Sequence, residues 1–144
     1  MNVLRLKLTR PGASPPRRAT TGSVGYDVYA AIDGEVVIEP HATVTIPSGF
    51  AVALEQGYAA FIYARSGLGI KHGVVPANCV GVIDSDYRGE ILVGLTNHGG
   101  SPYTVRPNDR IAQMVIARCE LPDIELCDEL DDTERGDGGF GHTG

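Results

Sequence analysis

Short β-branched runs, separated by turn formers at nearly even spacing, constrain this chain more than anything else in it. Residues 36–38, 43–46 and 50–54 follow one another, split by Glu39-Pro40-His41 and Pro47-Ser48-Gly49. Turn signals about every ten residues favour an all-β sandwich or barrel. The rest of the chain repeats the pattern. Leu4, Leu6 and Leu8 alternate with Arg5 and Lys7, as a half-buried strand does. Residues 24–31, 58–64, 90–96, 103–105 and 111–118 read as further strands, the last fitting a short helix almost as well. Residues 11–22 hold three prolines, two arginines and several Ser and Thr, and read as an extended surface loop.

Bulk properties narrow the class. The 144 residues make one domain with a core of its own. A net charge of -6 leaves no basic footprint for nucleic acid and no attraction to an anionic membrane. A polyanionic small substrate fits only where arginines cluster locally. The N-terminus alternates instead of carrying an apolar signal region, and no apolar run is long enough to span a membrane. Cys79, Cys119 and Cys127 are an odd set without metal-ligand spacing, so buried free thiols in a reducing cytoplasm are expected.

Five local patterns carry chemistry. Residues 78–91, Asn-Cys-Val-Gly-Val-Ile-Asp-Ser-Asp-Tyr-Arg-Gly-Glu-Ile, read as a hairpin: turn formers between apolar runs. Asp84 there is either a turn residue bonded to backbone or a fixed carboxylate that holds a water and takes its proton. Asp27 interrupts an apolar strand; it either faces water from a sheet edge or is paired, solvated or near a metal. Arg65-Ser66-Gly67, after a strand, suits an anion through converging N–H groups, a hydroxyl and a two-donor guanidinium, although Ser-Gly is also an ordinary turn. Gln113 breaks an apolar run, and its amide needs a backbone or ligand partner. His41, in a Pro-flanked turn, is expected to be solvated. The tail from Glu120 to Glu134 is acidic. The last ten residues, Arg135-Gly136-Asp137-Gly138-Gly139-Phe140-Gly141-His142-Thr143-Gly144, hold five glycines and are not ordered by themselves. A Phe able to stack on a base, and an Arg with glycine N–H groups for phosphates, are more than a spacer needs.

In this order the pieces resemble the five motifs of the trimeric dUTPases, of the bacterial type. Gly25-Tyr26-Asp27-Val28-Tyr29-Ala30 is similar to the first motif and Arg65-Ser66-Gly67-Leu68-Gly69 to the second. Asn78 with Gly81-Val82-Ile83-Asp84-Ser85-Asp86-Tyr87-Arg88-Gly89 is similar to the third. Asp109-Arg110-Ile111-Ala112-Gln113-Met114 resembles the fourth, and the glycine-rich tail the fifth. Asn108 stands where many members have Gly, Ala64 where many have Pro, and His142 where many have Ser.

The resemblance implies an all-β, jelly-roll-like (β-clip) subunit. Residues 1–134 would be the domain and residues 135–144 a flexible arm closing over an active site. It implies a homotrimer whose sites are shared between chains, and an Mg²⁺-dependent hydrolysis of dUTP to dUMP and pyrophosphate. That reaction keeps uracil out of DNA and supplies dUMP for thymidylate synthesis. Asp84 would activate the water that attacks the α-phosphorus, with Gln113 and Ser66 as the other catalytic groups. Arg65, Ser66 and Gly67 would grip phosphates. Asn78, Gly81, Val82, Ile83 and Leu92 would hold uracil, and Tyr87 the deoxyribose. Arg135, Gly141, His142 and Thr143 would close on the terminal phosphate while Phe140 stacks on the base. Asp27 would act through metal-bound water or on the sugar 3′-OH. No nucleic acid or membrane partner is implied. A dCTP deaminase of the same superfamily is the alternative, although its second motif carries Ser-Ser where this chain has Ser66-Gly67. A non-catalytic trimeric β module is the other.

Overall fold

The computed structural model describes residues 3–139. Eleven strands and one short helix follow in the order β1 (Arg5–Leu8), β2 (Tyr26–Tyr29), β3 (Val36–Ile38), β4 (Thr43–Pro47), β5 (Phe50–Ala53), β6 (Tyr58–Tyr63), α1 (Ser66–His72), β7 (Val74–Pro76), β8 (Gly81–Ile83), β9 (Leu92–Asn97), β10 (Tyr103–Val105) and β11 (Arg110–Arg118). All the ladders are antiparallel. They form a four-stranded sheet β2-β11-β6-β8, a three-stranded sheet β4-β9-β7 and the pairs β1-β5 and β10-β3. Alternation decides which side of each strand turns inward. Val28, Ile46, Ile62, Val93, Leu95, Val105 and Met114 all meet in one core, with Phe50 fully buried among them. Each such side chain contributes roughly 1.5–3 kcal/mol by leaving water.

Four expectations change. The segment after Arg65 is a short helix, not a turn, set in a mostly β fold. α1 buries only Leu68 and ends at Gly73, whose φ of 68° suits a left-handed cap. One buried residue in seven, with Gly67 and Gly69 inside, gives almost no helical periodicity to read. β7, which sequence patterning does not mark, has Val74 fully buried beside β9. The 78–91 hairpin does not close: β8 pairs with β6, while β9 pairs with β4 and β7. Each strand finds a better partner in a different sheet, and the turn between them bridges two sheets. Finally, Cys79 and Cys127 are exposed and Cys119 is half-buried, all three unpaired. They sit in connections or past the last strand, where no core face is offered. His41 is exposed as expected, with a left-handed φ of 63°.

The N-terminal segment is tied to the turn before β9 by charge. Arg10 Nε donates to Glu90 Oε1 at 2.7 Å and its NH2 group to Oε2 at 3.0 Å. The Gly49 N–H also donates to Oε1, at 2.9 Å. The Arg10 guanidinium, helped by the Thr9 hydroxyl and the Gly49 N–H, holds the Glu90 carboxyl below its ordinary range against the opposing effect of burial. A carboxyl so lowered adds stability in full above its unfolded pKa, and that stability is lost as pH falls through the folded value. Arg10→Met therefore melts below wild type at neutral pH. The gap in melting temperature narrows as pH drops below the carboxylate range, which a thermal melt series from pH 7 to pH 2 measures.

Candidate active site

The outer face of the four-stranded sheet carries the first group of candidates. Asp27 on β2 lies opposite Gln113 on β11, and Gln113 lies opposite Tyr63 on β6. Cross-strand partners share a face, so these three side chains do too. Arg110 and Gln113 are an odd number of residues apart, and in a regular strand they would face opposite ways. A bulge changes that: Arg110 pairs with Tyr29 while Ala112 pairs with Val28, leaving Ile111 as the extra residue. Ile111 and Ala112 both turn into the core. Arg110 is thereby returned to the face of Asp27 and Gln113.

Asp27 does not face water. Its Oδ1 accepts from Arg65 Nε at 3.0 Å and its Oδ2 from Arg110 NH1 at 3.3 Å, with its side chain 17% exposed. Arg65 also donates to the Arg110 carbonyl at 3.2 Å, which fixes the two arginines to each other. Two guanidiniums about one carboxylate leave a local surplus of positive charge in an acidic chain. This is the clustering that a polyanionic ligand needs. Gln113 Nε2 donates to the Ala64 carbonyl at 2.9 Å. That bond uses one of the two amide N–H groups and leaves the other for a ligand. The Gln113 Oε1 lies against Gly25, where an added Cβ would stand 2.5 Å from it. Ser66 and Gly67 are exposed just beyond Arg65, at the start of α1, which has no side-chain cap.

The second group lies around β8 and the turn after it. β8 is the sheet's outer strand, so among the described residues one edge of its backbone has no strand beside it. β9 runs past β7, which pairs with it only from Leu95 to Asn97. The open side of β8 is joined to the start of β9 by the turn that carries Asp84, Tyr87 and Glu90. Val82 and Leu92 are 57% and 54% exposed there. Asn78 is exposed nearby, with its amide nitrogen close to Gly81, where an added Cβ would be 3.5 Å away. The Val80 N–H donates to the Asn78 carbonyl at 2.6 Å across Cys79, whose φ is 62°. That is a γ-turn of the rarer, strained hand, with a non-glycine residue at its centre. Tyr87 Oη donates to the Glu90 carbonyl at 3.0 Å, and the ring lies where a side chain on Gly89 would be. Asp84 is exposed on the wall of a depression of about 690 Å³, along with Phe61, Val82 and Arg88.

A single chain does not bring the two groups together. Asp84 follows Ile83, which pairs with Ala60, whereas Gln113 pairs with Tyr63. About four residues along the sheet and two strand spacings separate them, or roughly 13 Å by 10 Å. Between them the outer face carries Phe61, Tyr63, Val82 and Val115, largely apolar and partly or fully exposed.

Arg135 is described, with its Nε donating to the Gly138 carbonyl at 2.9 Å. Phe140, Gly141, His142 and Thr143 lie outside the described residues. Among the described residues no three His, Cys, Asp or Glu side chains converge on one point. Both Asp27 oxygens are taken by arginines, so this carboxylate would reach a cation such as Mg²⁺, which keeps its own waters, only through water. Arg110 is the site residue that sequence reading missed as a functional side chain. Its neighbour Asp109 and the motif around it were visible, but only the bulge reveals where its side chain goes.

The chain is similar to known proteins along its whole length. A family model described as dUTPase matches residues 12–144. A deoxyuridine 5'-triphosphate nucleotidohydrolase of Desulfitobacterium hafniense is 49% identical, over 100% of this chain and 99% of the relative. One from Orientia tsutsugamushi is 49% identical over 92% of this chain and 89% of its own. The Staphylococcus bacteriophage 80alpha dUTPase, solved with dUPNHPP, superposes with a TM-score of 0.92 at 27% identity, covering 100% of this chain and 99% of that one. A mutant dUTPase from phage phi11 of S. aureus, solved to show coordination of a structural Mg(II) ion, gives a TM-score of 0.81 at 25% identity over 89% of this chain and 98% of its own. The chain belongs to the dUTPase family.

Proposed function

We propose that the protein hydrolyses dUTP to dUMP and pyrophosphate with Mg²⁺, as a homotrimer of jelly-roll-like subunits whose sites are shared. The full-length identity of 49% with a relative of that activity carries the reading. The arginine pair on the outer face gives it a physical basis, because a triphosphate needs local positive charge that the chain as a whole lacks.

The chemistry is water attack at the α-phosphorus, with the bond to the α–β bridging oxygen breaking and pyrophosphate leaving. Asp84 takes the proton of the attacking water. Gln113 uses its free N–H on the α-phosphate. Arg65, Ser66 and Gly67 hold the departing phosphates, with Ser66 at the bridging oxygen. Phosphoryl transfer asks mainly for positioning and charge stabilisation, which these groups supply. Mg²⁺, when bound to the triphosphate, neutralises oxygen charge. Asp27 would hold it through water, or else would bond the sugar 3′-OH.

Uracil enters between β8 and β9. The unpaired edge of β8 offers N–H and C=O groups at the spacing of a strand, able to imitate a base pair with Asn78. Thymine's methyl would clash there, and cytosine's amino group would meet the wrong partners. Unpaired buried polar groups discriminate strongly. Tyr87, held over Gly89, excludes a 2′-OH.

Sharing between chains follows from the separation of Asp84 and Gln113 within one chain. The apolar outer face around Phe61 and Val82 favours a neighbouring subunit there. Residues 135–144 act as the arm, with Phe140 stacking on uracil and Arg135, His142 and Thr143 on the γ-phosphate end.

Three outcomes check this. Wild type releases pyrophosphate from dUTP and not from dTTP, dCTP or UTP, and Asp84→Asn slows it by about 10²–10⁴-fold, the usual worth of a general base. Ammonia released from dCTP would instead indicate a deaminase. Gly25→Ala displaces the Gln113 amide, whose flexible end can yield. It therefore leaves the melting temperature nearly unchanged while kcat falls about tenfold or more, since small misplacements are costly. Mixing refolded Asp84→Asn and Gln113→Ala subunits restores activity that neither has alone; mixtures as inactive as their parents would rule out shared sites.

A further inference from the structure

Glu90 has two ends, and each holds a different part of the molecule. Its carboxylate accepts two bonds from Arg10 and one from the Gly49 N–H. Its carbonyl accepts the hydroxyl of Tyr87. The side chain is therefore fastened to the scaffold and the main chain to the loop that carries Asp84 and Tyr87.

We propose that Glu90, gripped by Arg10, is a positioning residue for dUTP hydrolysis, fixing the exit of the 84–89 loop so that Tyr87 and Asp84 keep their places. The inference rests on the hydrolase reading above. Neither residue meets the substrate in it.

The scaffold side is stiff. Gly49 has a φ of 75°, and the space of its missing Cβ is taken by the methyl groups of Ala13 and Ala31. Its carbonyl accepts the Thr9 N–H at 2.8 Å, which sets Arg10 beside it. Just past Glu90, the Ile91 N–H donates to the Phe50 carbonyl at 3.0 Å and the Ser48 N–H to the Ile91 carbonyl at 3.1 Å. Arg10 reaches from the surface, its side chain 46% exposed, to a Glu90 side chain that is 18% exposed, and meets both its oxygens. Bidentate geometry fixes direction as well as distance.

The loop side is less constrained. Tyr87 N–H donates to the Asp84 carbonyl at 3.2 Å, and Arg88 NH1 to the carbonyls of Ser85 and Tyr87. These bonds give the loop its shape from within. Its orientation comes from its two ends, which are β8 and Glu90. If Glu90 is released, the chain stays anchored at Ile91, but the direction of the residues just before it is no longer fixed, and Tyr87, bonded to the Glu90 carbonyl, shifts with them.

The test measures kcat and KM for dUTP in wild type, Arg10→Met, Arg10→Lys, Glu90→Gln and the Arg10→Met/Glu90→Gln pair. All are assayed well below their own melting temperatures. The expected result is a rise in KM of about tenfold with a smaller fall in kcat for Arg10→Met and Glu90→Gln, the scale of a loosened substrate-positioning group. Lysine, which keeps charge but has no fork, should recover part of the loss. The double variant should be no worse than the poorer single one, because both changes break the same link. Kinetic constants within twofold of wild type, with only the melting temperature lowered, would overturn the inference, as would losses that simply multiply. A wild type that releases no pyrophosphate from dUTP overturns the hydrolase reading instead.

Discussion

The bulge at Ile111 is the constraint on which the outer face depends. β11 lies between β2 and β6 and is the longest strand, so its register sets that of its neighbours. With a strict alternation, Ile111 or Ala112 would have to leave the core, and Arg110 would turn away from Asp27. One extra residue lets both apolar side chains go inward and both polar ones go outward. The core therefore helps to hold the site: Ile111, Ala112 and Met114 are all buried, and moving any of them would disturb the Asp27–Arg65–Arg110 contacts. A half-buried carboxylate between two guanidiniums also resists solvent screening better than a surface pair does.

The proposed division of the active site between chains follows from strand geometry. An antiparallel sheet spaces side chains at fixed intervals, and Asp84 and Gln113 fall on strands and rows too far apart to meet on one substrate. A subunit interface would supply the missing proximity without new secondary structure. The exposed edge of β8 has a related logic. Open edges invite unwanted pairing, and natural folds usually cover or charge them. Here the edge is short and is flanked by the strained turn at Cys79 and the loop after Ile83. Its unmet hydrogen-bonding groups become an asset if a base is their partner.

Much of this was legible in the sequence, for physical reasons. Strands with one buried face leave a period of two, so Val28, Ile62 and Met114 announce themselves, and turn formers mark their ends. Asp27 and Gln113 stood out because polar groups inside apolar runs need partners. What was hidden depends on contacts made far along the chain. α1 has one buried side chain, too few for a helical stripe. β7 is three residues long, and Val74 is buried because β9 happens to lie beside it. Residues 80–93 look like a hairpin because local signals say nothing about which strands pair. The cysteines were expected inside because thiols usually are, but all three lie outside regular strands. The side-chain direction of Arg110 depends on a register shift that no local pattern encodes.

The same distinction separates rigid from adaptable parts of the proposed site. Arg65, Asp27, Arg110 and Gln113 project from paired strands or from the end of one, and bond to each other or to backbone, so their geometry is set before a ligand arrives. The 84–89 loop is held mostly by its own bonds and depends on its ends for direction. Tyr87 illustrates the difference: Gly89 leaves space for its ring, and its hydroxyl reaches no strand other than through Glu90. A base pocket built this way can discriminate only if its anchor is stiff, because a loop free to swing would accommodate the wrong base as readily as the right one. The left-handed Gly49, packed against Ala13 and Ala31 and bonded to Glu90, supplies that stiffness from outside the pocket. Specificity for the base would then depend partly on residues that never approach it, reaching as far as the chain just beyond β1.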